Sequence, residues 1–106
     1  MNFIWKSLWL AGACAASLPA SGATPAAIAK TAGCMACHAQ ESKLLGPSFK
    51  DIAAKYGKDA AAPARLADHV RQGSKGIWGP VPMPPTDAAK ISDADLKTVI
   101  AWILKS

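Results

Sequence analysis

The five residues from Cys34 to His38, CMACH, constrain this chain more than any other stretch. Two cysteines three positions apart, followed at once by a histidine, match C-x-x-C-H, the pattern that attaches c-type haem. In that chemistry the two thiols form thioethers to the two vinyl groups of one porphyrin, and the histidine lies beneath the iron as a ligand. The motif predicts one covalent haem c, held by Cys34 and Cys37, with His38 on the iron.

The N-terminal residues have the composition of an export signal. Residues 1–23 carry Lys6, then an apolar run from about position 7 to position 20, then Ser-Gly-Ala, and they contain no acidic residue. This pattern is typical of a secretory signal peptide, and the apolar run is short for a membrane span. We predict cleavage near Ala23 and a periplasmic protein. The alternatives are a retained anchor helix and a lipid on Cys14, whose AGAC context is similar to a lipoprotein processing site.

The predicted mature domain, residues 24–106, is small and modestly basic. Without Lys6 it has eleven basic and seven acidic side chains, a net charge of +4, which favours an acidic partner or an anionic membrane face. The lysines are scattered, so nucleic acid is not an expected partner. About 83 residues give a marginal core, and such a chain usually depends on disulfides, a metal or a cofactor.

Other interpretations of the cysteine motif remain open. A zinc site needs four ligands, which would have to be Cys34, Cys37, His38 and the distant His69. A thioredoxin-like redox pair requires a βαβ context, and no segment alternates as a strand does. A disulfide would close a loop too small to add much stability. Export agrees with haem attachment, which we therefore favour.

Apolar periodicity predicts an all-α domain of four or five short helices. The first runs from Thr24-Pro25 to Gly33, the second lies within PSFKDIAAKYG, the third runs from Pro63 to Gly73, and the last begins at Ser92. Their apolar faces are Phe49, Ile52, Ala53 and Tyr56; Leu66 and Val70; and Leu96, Val99, Ile100, Ile103 and Leu104. Between the last two helices lies a Gly- and Pro-rich loop, 74–91, and a loop that long in a small domain is usually functional.

That loop contains the best candidate for a second iron ligand. Met1 would leave with the signal, and the attachment motif directs Met35 away from the far face of the iron, so Met83 remains. Prolines at positions 80, 82, 84 and 85 restrict the backbone around it. A weak thioether ligand is then placed with little loss of entropy. His69 is the alternative ligand, and an incidental proline-rich surface turn is the alternative to any ligand role.

With these features the mature chain resembles the small class I bacterial cytochromes c of the cytochrome c-551 type. The segments GCMACHA, LLGPSFKDIAAKY and GSKGIWGPVPMPP match in order and spacing. The resemblance implies a class I cytochrome c fold wrapped around one covalently bound haem. It further implies thioethers at Cys34 and Cys37 and axial ligands at His38 and Met83.

The resemblance also implies roles around the haem. The Pro47 carbonyl would accept a hydrogen bond from the other ring nitrogen of His38, and the Trp78 indole would face a haem propionate. The haem edge would emerge among Met35, Leu45 and Val81, near Lys30 and Lys43.

This chain departs from the family at two positions. His69 replaces a common arginine near a propionate, and we hypothesise a pH-dependent reduction potential, which a flat profile from about pH 5 to 8 would contradict. Thr86 replaces a common asparagine, so the resemblance does not extend to a side-chain hydrogen bond to the Met83 sulfur.

Ligation by His and Met fills both axial positions and, with methionine raising the potential, suits outer-sphere electron transfer. We predict a soluble, monomeric, periplasmic electron carrier with no stable membrane insertion. Its partners would be redox proteins with acidic or apolar docking surfaces, such as a nitrite reductase, a terminal oxidase, a peroxidase or a membrane cytochrome complex. The alternatives are a haem enzyme in which Met83 dissociates, a haem sensor, and a fixed subunit of a respiratory complex.

Overall fold

The computed structural model describes Gly12 and residues 22–106. The predicted signal peptide lies almost entirely outside the described residues, and Cys14 lies outside them. The elements are α1 (Pro25–Thr31), a 3-10 turn (Cys34–Ala36), α2 (Phe49–Tyr56), α3 (Ala62–Gln72) and α4 (Asp93–Leu104). Residues 22–106 contain no sheet, and their one β-type pairing is an isolated antiparallel bridge between Ser74 and Met83. The all-α prediction, with four or five short helices, is confirmed.

Three of the four helices begin at a hydroxyl side chain that caps the helix. The Oγ atoms of Ser48 and Ser92 accept the backbone N–H three residues later, at 3.0 and 3.1 Å, and Thr24 does the same at 3.2 Å. Each bond satisfies one of the amides that the first helical turn leaves unpaired. Helix α3 has no such cap. The carboxylate of Asp59 instead binds the Ala61 amide ahead of it and the Arg65 guanidinium within it.

Helix α4 is the element on which the other helices converge. Helices α1, α2 and α3 pack chiefly against α4 rather than against one another. One buried cluster joins α1 to α4, and the other joins α2 to the start of α3; their members are Ala29, Ile91, Leu96, Val99 and Ile100, and Phe49, Ile52, Tyr56 and Ala62. Trp102 of α4 meets the Phe49 ring edge-on at 5.4 Å between centroids.

The apolar face of α3 is buried less than its sequence pattern suggests. Leu66 and Val70 are half-buried rather than buried, because they line a cavity instead of packing wholly against another helix. Ala53 of α2 is also half-buried. Within residues 22–106, no helix is long and apolar enough to cross a membrane.

Candidate functional site

A cavity of about 520 Å³ opens between the 3-10 turn, α3, α4 and the long loop. Every residue that the sequence singled out as a site residue lines it: Cys34, Cys37, His38, Pro47, His69, Trp78 and Met83. The rest of its wall is mainly aliphatic and comes chiefly from α2, α3, α4 and the loop. Two lysines, Lys75 and Lys90, also contribute. No acidic side chain is among the lining residues. The cavity is therefore apolar, with positive charge on its wall.

A tight turn brings the two cysteines and His38 to the same wall. Gly33 precedes the turn with φ of +91°, a conformation that favours glycine. The Cys34 carbonyl then accepts the Cys37 and His38 amides at 3.2 and 3.0 Å. Both cysteines are half-buried free thiols, with no disulfide between them, and burial raises the pKa of the Cys34 thiol.

The His38 imidazole is held from several directions. Its Nδ1 lies 2.7 Å from the carbonyl oxygen of Pro47, a buried residue. Because a carbonyl can only accept, Nδ1 carries a proton, so Nε2 is the atom that holds the lone pair in the neutral ring. The Phe49 ring stacks on the imidazole at 5.5 Å, with 21° between the planes. A Cβ built on Gly46 would lie 2.7 Å from Cε1 of His38, so the backbone at Gly46 touches the ring.

Met83 is fixed through its own backbone. Its amide donates to the Ser74 carbonyl at 2.7 Å, and its carbonyl accepts the Ser74 amide at 3.1 Å. Residues 82, 84 and 85 are prolines. Met83 therefore supplies the only backbone N–H of the segment 82–85. Sequence patterning did not reveal Ser74, because an isolated two-residue bridge leaves no periodic signal.

Among the described residues, five large apolar side chains are exposed, Met35, Leu44, Leu45, Trp78 and Val81, and those of them that line the cavity mark its mouth. Leu45, Val81 and Trp78 line the cavity, whereas Met35 does not. The Lys55 ammonium lies 5.0 Å from the Trp78 ring centroid, a cation–π contact that sequence reasoning missed. Lys30 and Lys43 are exposed.

Two further residues named from the sequence lie at the α3 side of the cavity. His69 is half-buried on α3. The Thr86 amide donates to the Val70 carbonyl at 2.8 Å, which ties the end of the loop to α3. As to the zinc alternative, no group of three or more His, Cys, Asp or Glu side chains within the described chain is arranged to hold a metal ion.

The residues of the cavity fit a porphyrin. Two thiols three positions apart, an imidazole and a thioether line one cavity whose surface is otherwise mainly aliphatic. The lysines and Trp78 offer partners for carboxylates. An all-α domain with such a cavity defines a class of protein, namely one that holds a single haem through C-x-x-C-H.

Comparison with known proteins names the family. A family model described as "Cytochrome C oxidase, cbb3-type, subunit III" matches residues 20–103. Cytochrome c2 of Rubrivivax gelatinosus is 58% identical over 84 residues, 79% of this chain and 99% of that protein. Cytochrome c-552 of Nitrosomonas europaea is 44% identical over 101 residues, 93% of this chain and 96% of that protein. The crystal structure of wild-type Nitrosomonas europaea cytochrome c552 superposes with a TM-score of 0.69 at 48% identity, covering 76% of this chain and 96% of that one.

The chain belongs to the small class I cytochromes c. Although the description of the family model names an oxidase subunit, the relatives matched over nearly their whole length are small individual cytochromes. Membership confirms the predictions of the family, of the class I fold and of covalently bound haem c. The chain is thus an electron-transfer protein that works with redox partners, as predicted, and not an enzyme.

Proposed function

We propose that the chain is a soluble periplasmic carrier of single electrons, exported by residues 1–23. Cys34 and Cys37 would hold the porphyrin, and His38 and Met83 would be the axial ligands of its iron. The observation that carries the proposal is that Met83, distant in sequence from CMACH, lines the same apolar cavity as the two cysteines and His38. When bound, the haem supplies an iron that alternates between the ferric and ferrous states.

The chain's own contribution is to keep both ligands in place while the charge changes. The Pro47 carbonyl holds the proton on Nδ1 of His38 and leaves Nε2 available to a metal. Phe49 and Gly46 restrict rotation of the ring. Met83 is held by its two hydrogen bonds to Ser74 and by prolines on both sides. Ligands that cannot move give little rearrangement between oxidation states, as rapid electron transfer requires.

The cavity wall sets the electrostatic environment of the site. Its aliphatic lining excludes water and strengthens electrostatic interactions inside. Trp78 would direct its indole N–H to a haem propionate, and His69 would lie near the inner propionate. The pH dependence attributed to His69 stays a prediction. Lys75 and Lys90 add positive charge.

We assign partner docking to the mouth of the cavity. Leu45 and Val81 are 64% and 54% exposed there. Lys43 lies two residues before Leu45 in the sequence. An acidic or apolar surface on a redox protein suits this combination, with lysines steering brief encounters that salt weakens. A nitrite reductase, a terminal oxidase, a peroxidase or a membrane cytochrome complex would each meet that description, and the carrier is expected to act as a monomer.

The experiment is a visible spectrum and redox titration of the haem-loaded protein, whose mass also reports the gain of one haem and the loss of residues 1–23. Met83→Ala is expected to abolish the far-red ferric band of an iron–sulfur bond. The same change should lower the potential by at least roughly 0.1 V, since axial ligands set haem potentials over about 0.8 V.

Met35→Ala is the matched control, because Met35 lies outside the cavity lining and is 36% exposed. It should leave both the band and the potential unchanged. An unchanged band in Met83→Ala would reassign the ligand. Rapid binding of cyanide or CO to the wild-type protein would favour an enzyme or a sensor over a carrier.

A further inference from the structure

The last turn of α3 holds the Met83 segment at two points. We propose that Arg71 is a positioning residue for Met83. Together with Gly73 and Ser74 it forms what we term the α3 clamp, which fixes residues 83–86 and thereby the place from which the Met83 sulfur would bind the iron. The inference rests on the proposed function, because it takes Met83 as the axial ligand.

The first point of attachment is the backbone of Met83 itself. Ser74 exchanges both hydrogen bonds with it, at 2.7 and 3.1 Å. This pairing requires glycine at position 73, where φ is +78°. A Cβ at Gly73 would lie only 2.6 Å from the Met83 carbonyl oxygen and 3.1 Å from the Pro85 nitrogen. A side chain at this position would push the ligand segment away from the helix.

The second point of attachment is Thr86, three residues later. Its amide donates to the Val70 carbonyl at 2.8 Å, and its carbonyl accepts Nη1 of Arg71 at 3.3 Å. The other terminal nitrogen of Arg71, Nη2, lies 2.6 Å from Oδ1 of Asp93 at the start of α4. One guanidinium therefore joins α3, the loop and α4, a task that suits its planar fork of donors.

The ion pair with Asp93 is a means of orienting Arg71 rather than a large source of stability. The Asp93 side chain is 94% exposed, and an ion pair in water contributes little free energy. It holds one side of the guanidinium so that the other side faces Thr86. The arginine side chain is only 23% exposed, which places it within the packed end of the helix.

The prolines cannot do this work alone. They fix φ within residues 80–85 but do not attach the segment to the rest of the protein, because proline has no amide to donate. Attachment depends on the amides of Met83 and Thr86 and on the Thr86 carbonyl. Without Arg71, the segment keeps its stiffness and the bond from the Thr86 amide to Val70, but it loses one of the two hydrogen bonds that fix its Thr86 end.

The test compares Arg71→Gln with Arg65→Gln in the haem-loaded ferric protein. Arg65 is the matched control, since it lies on the same helix and pairs with Asp59 at 3.1 Å, far from Met83 in sequence. The rate of cyanide binding reports how often the methionine leaves the iron. Arg71→Gln should raise it about fivefold, the factor expected for one lost hydrogen bond. Exchange of the Met83 amide with solvent should accelerate in parallel, and Arg65→Gln should change neither.

Asp93→Asn supplies a second variant at an exposed position, so folding is not at risk. It should raise the cyanide rate in the same direction and by less, because the guanidinium loses its orienting partner but remains. Wild-type rates in both Arg71→Gln and Asp93→Asn would overturn the inference. That result is distinguishable from failure of the proposed function, which would appear as a far-red band that survives Met83→Ala.

Discussion

Around His38, two residues hold the ring partly because they lack a group, a side chain at Gly46 and a backbone amide at Pro47. Gly46 has no side chain, and the ring of His38 occupies the space that one would take. Pro47 has no amide and contributes a carbonyl instead, at 2.7 Å from Nδ1. The consecutive glycine and proline therefore form one side of the imidazole's enclosure, with Phe49 on another.

The enclosure predicts that Gly46→Ala is disruptive. The new Cβ would lie 2.7 Å from Cε1 and 3.0 Å from Nδ1 of His38. We expect a loss of about 2 kcal/mol in the free energy of unfolding, typical of overpacking, and a shifted reduction potential. Denaturant titration and redox titration measure the two effects.

Gly79→Ala is the control for this prediction. Gly79 has φ of +118° and nothing within 4 Å of a Cβ placed on it, so the change costs backbone strain of about 1 kcal/mol without touching His38. If Gly46→Ala and Gly79→Ala shifted the potential equally, contact with the imidazole would not be the cause.

Residues defined by their chemistry could be found from the sequence, whereas those defined by the meeting of two backbones could not. CMACH indicates its function because haem attachment requires those residue types at that spacing. Met83 was identified as a ligand candidate by excluding the other two methionines. Gly46 matters because its backbone touches His38, and Ser74 matters because it pairs with Met83. Neither pair is adjacent in sequence, so no local pattern reveals it.

Among the helices, α2 and α4 both begin with a capping serine, which is buried in α2 and exposed in α4. Each starts with a serine whose Oγ accepts the amide of an aspartate three residues on, Asp51 or Asp95. Ser48 is 2% exposed, while Ser92 is exposed. Water can replace the Ser92 hydroxyl if it is removed, but it reaches the buried Ser48 position poorly.

Ser48→Ala should therefore be more damaging than Ser92→Ala. We expect losses of about 2 kcal/mol and about 0.5 kcal/mol in the free energy of unfolding, the upper and lower ends of the range for capping residues. Chemical denaturation of both variants measures the difference. Equal losses would show that burial of the cap is irrelevant.

Helix starts were predictable because capping depends on neighbouring residues in the sequence. The extent to which a helix face is buried was harder to predict, because it depends on distant elements. Ser92 and the Thr24-Pro25 pair mark their helices in the sequence itself. The half-burial of Leu66 and Val70 depends on the cavity they face. The packing of the partly buried Trp102 against the core was missed because its partner, Phe49, belongs to a different helix.

Across the whole molecule, positive charge is placed where an electron would enter or leave. Lys75 and Lys90 line the cavity, and Lys55 lies over Trp78 at its mouth. The acidic residues that the structure describes do not line the cavity. An anionic reactant should therefore be attracted to this face at low ionic strength.

Oxidation of the ferrous protein by ferricyanide, an anion, should slow as salt is added. Lys75→Gln should lower the low-salt rate several-fold, because one charge about 10 Å away changes the rate roughly twofold per unit of reactant charge and ferricyanide carries three negative charges. Lys97→Gln is the control, because Lys97 lies in a separate shallow depression with Pro25 and Trp102. Stopped-flow absorbance measures the rates. Equal losses in the two variants would contradict a role for local charge.

The convergence of the helices on α4 has a consequence for how the chain matures. Residues 93–104 are made last among the helices, and the apolar faces of α1, α2 and α3 meet there. Without α4 the other helices lack the element against which they chiefly pack, and only the smaller buried cluster of α2 and the start of α3 is complete. The thiols of CMACH lie far ahead of α4 in the chain, so until that last helix docks, the scaffold around them would stay open to an attachment enzyme.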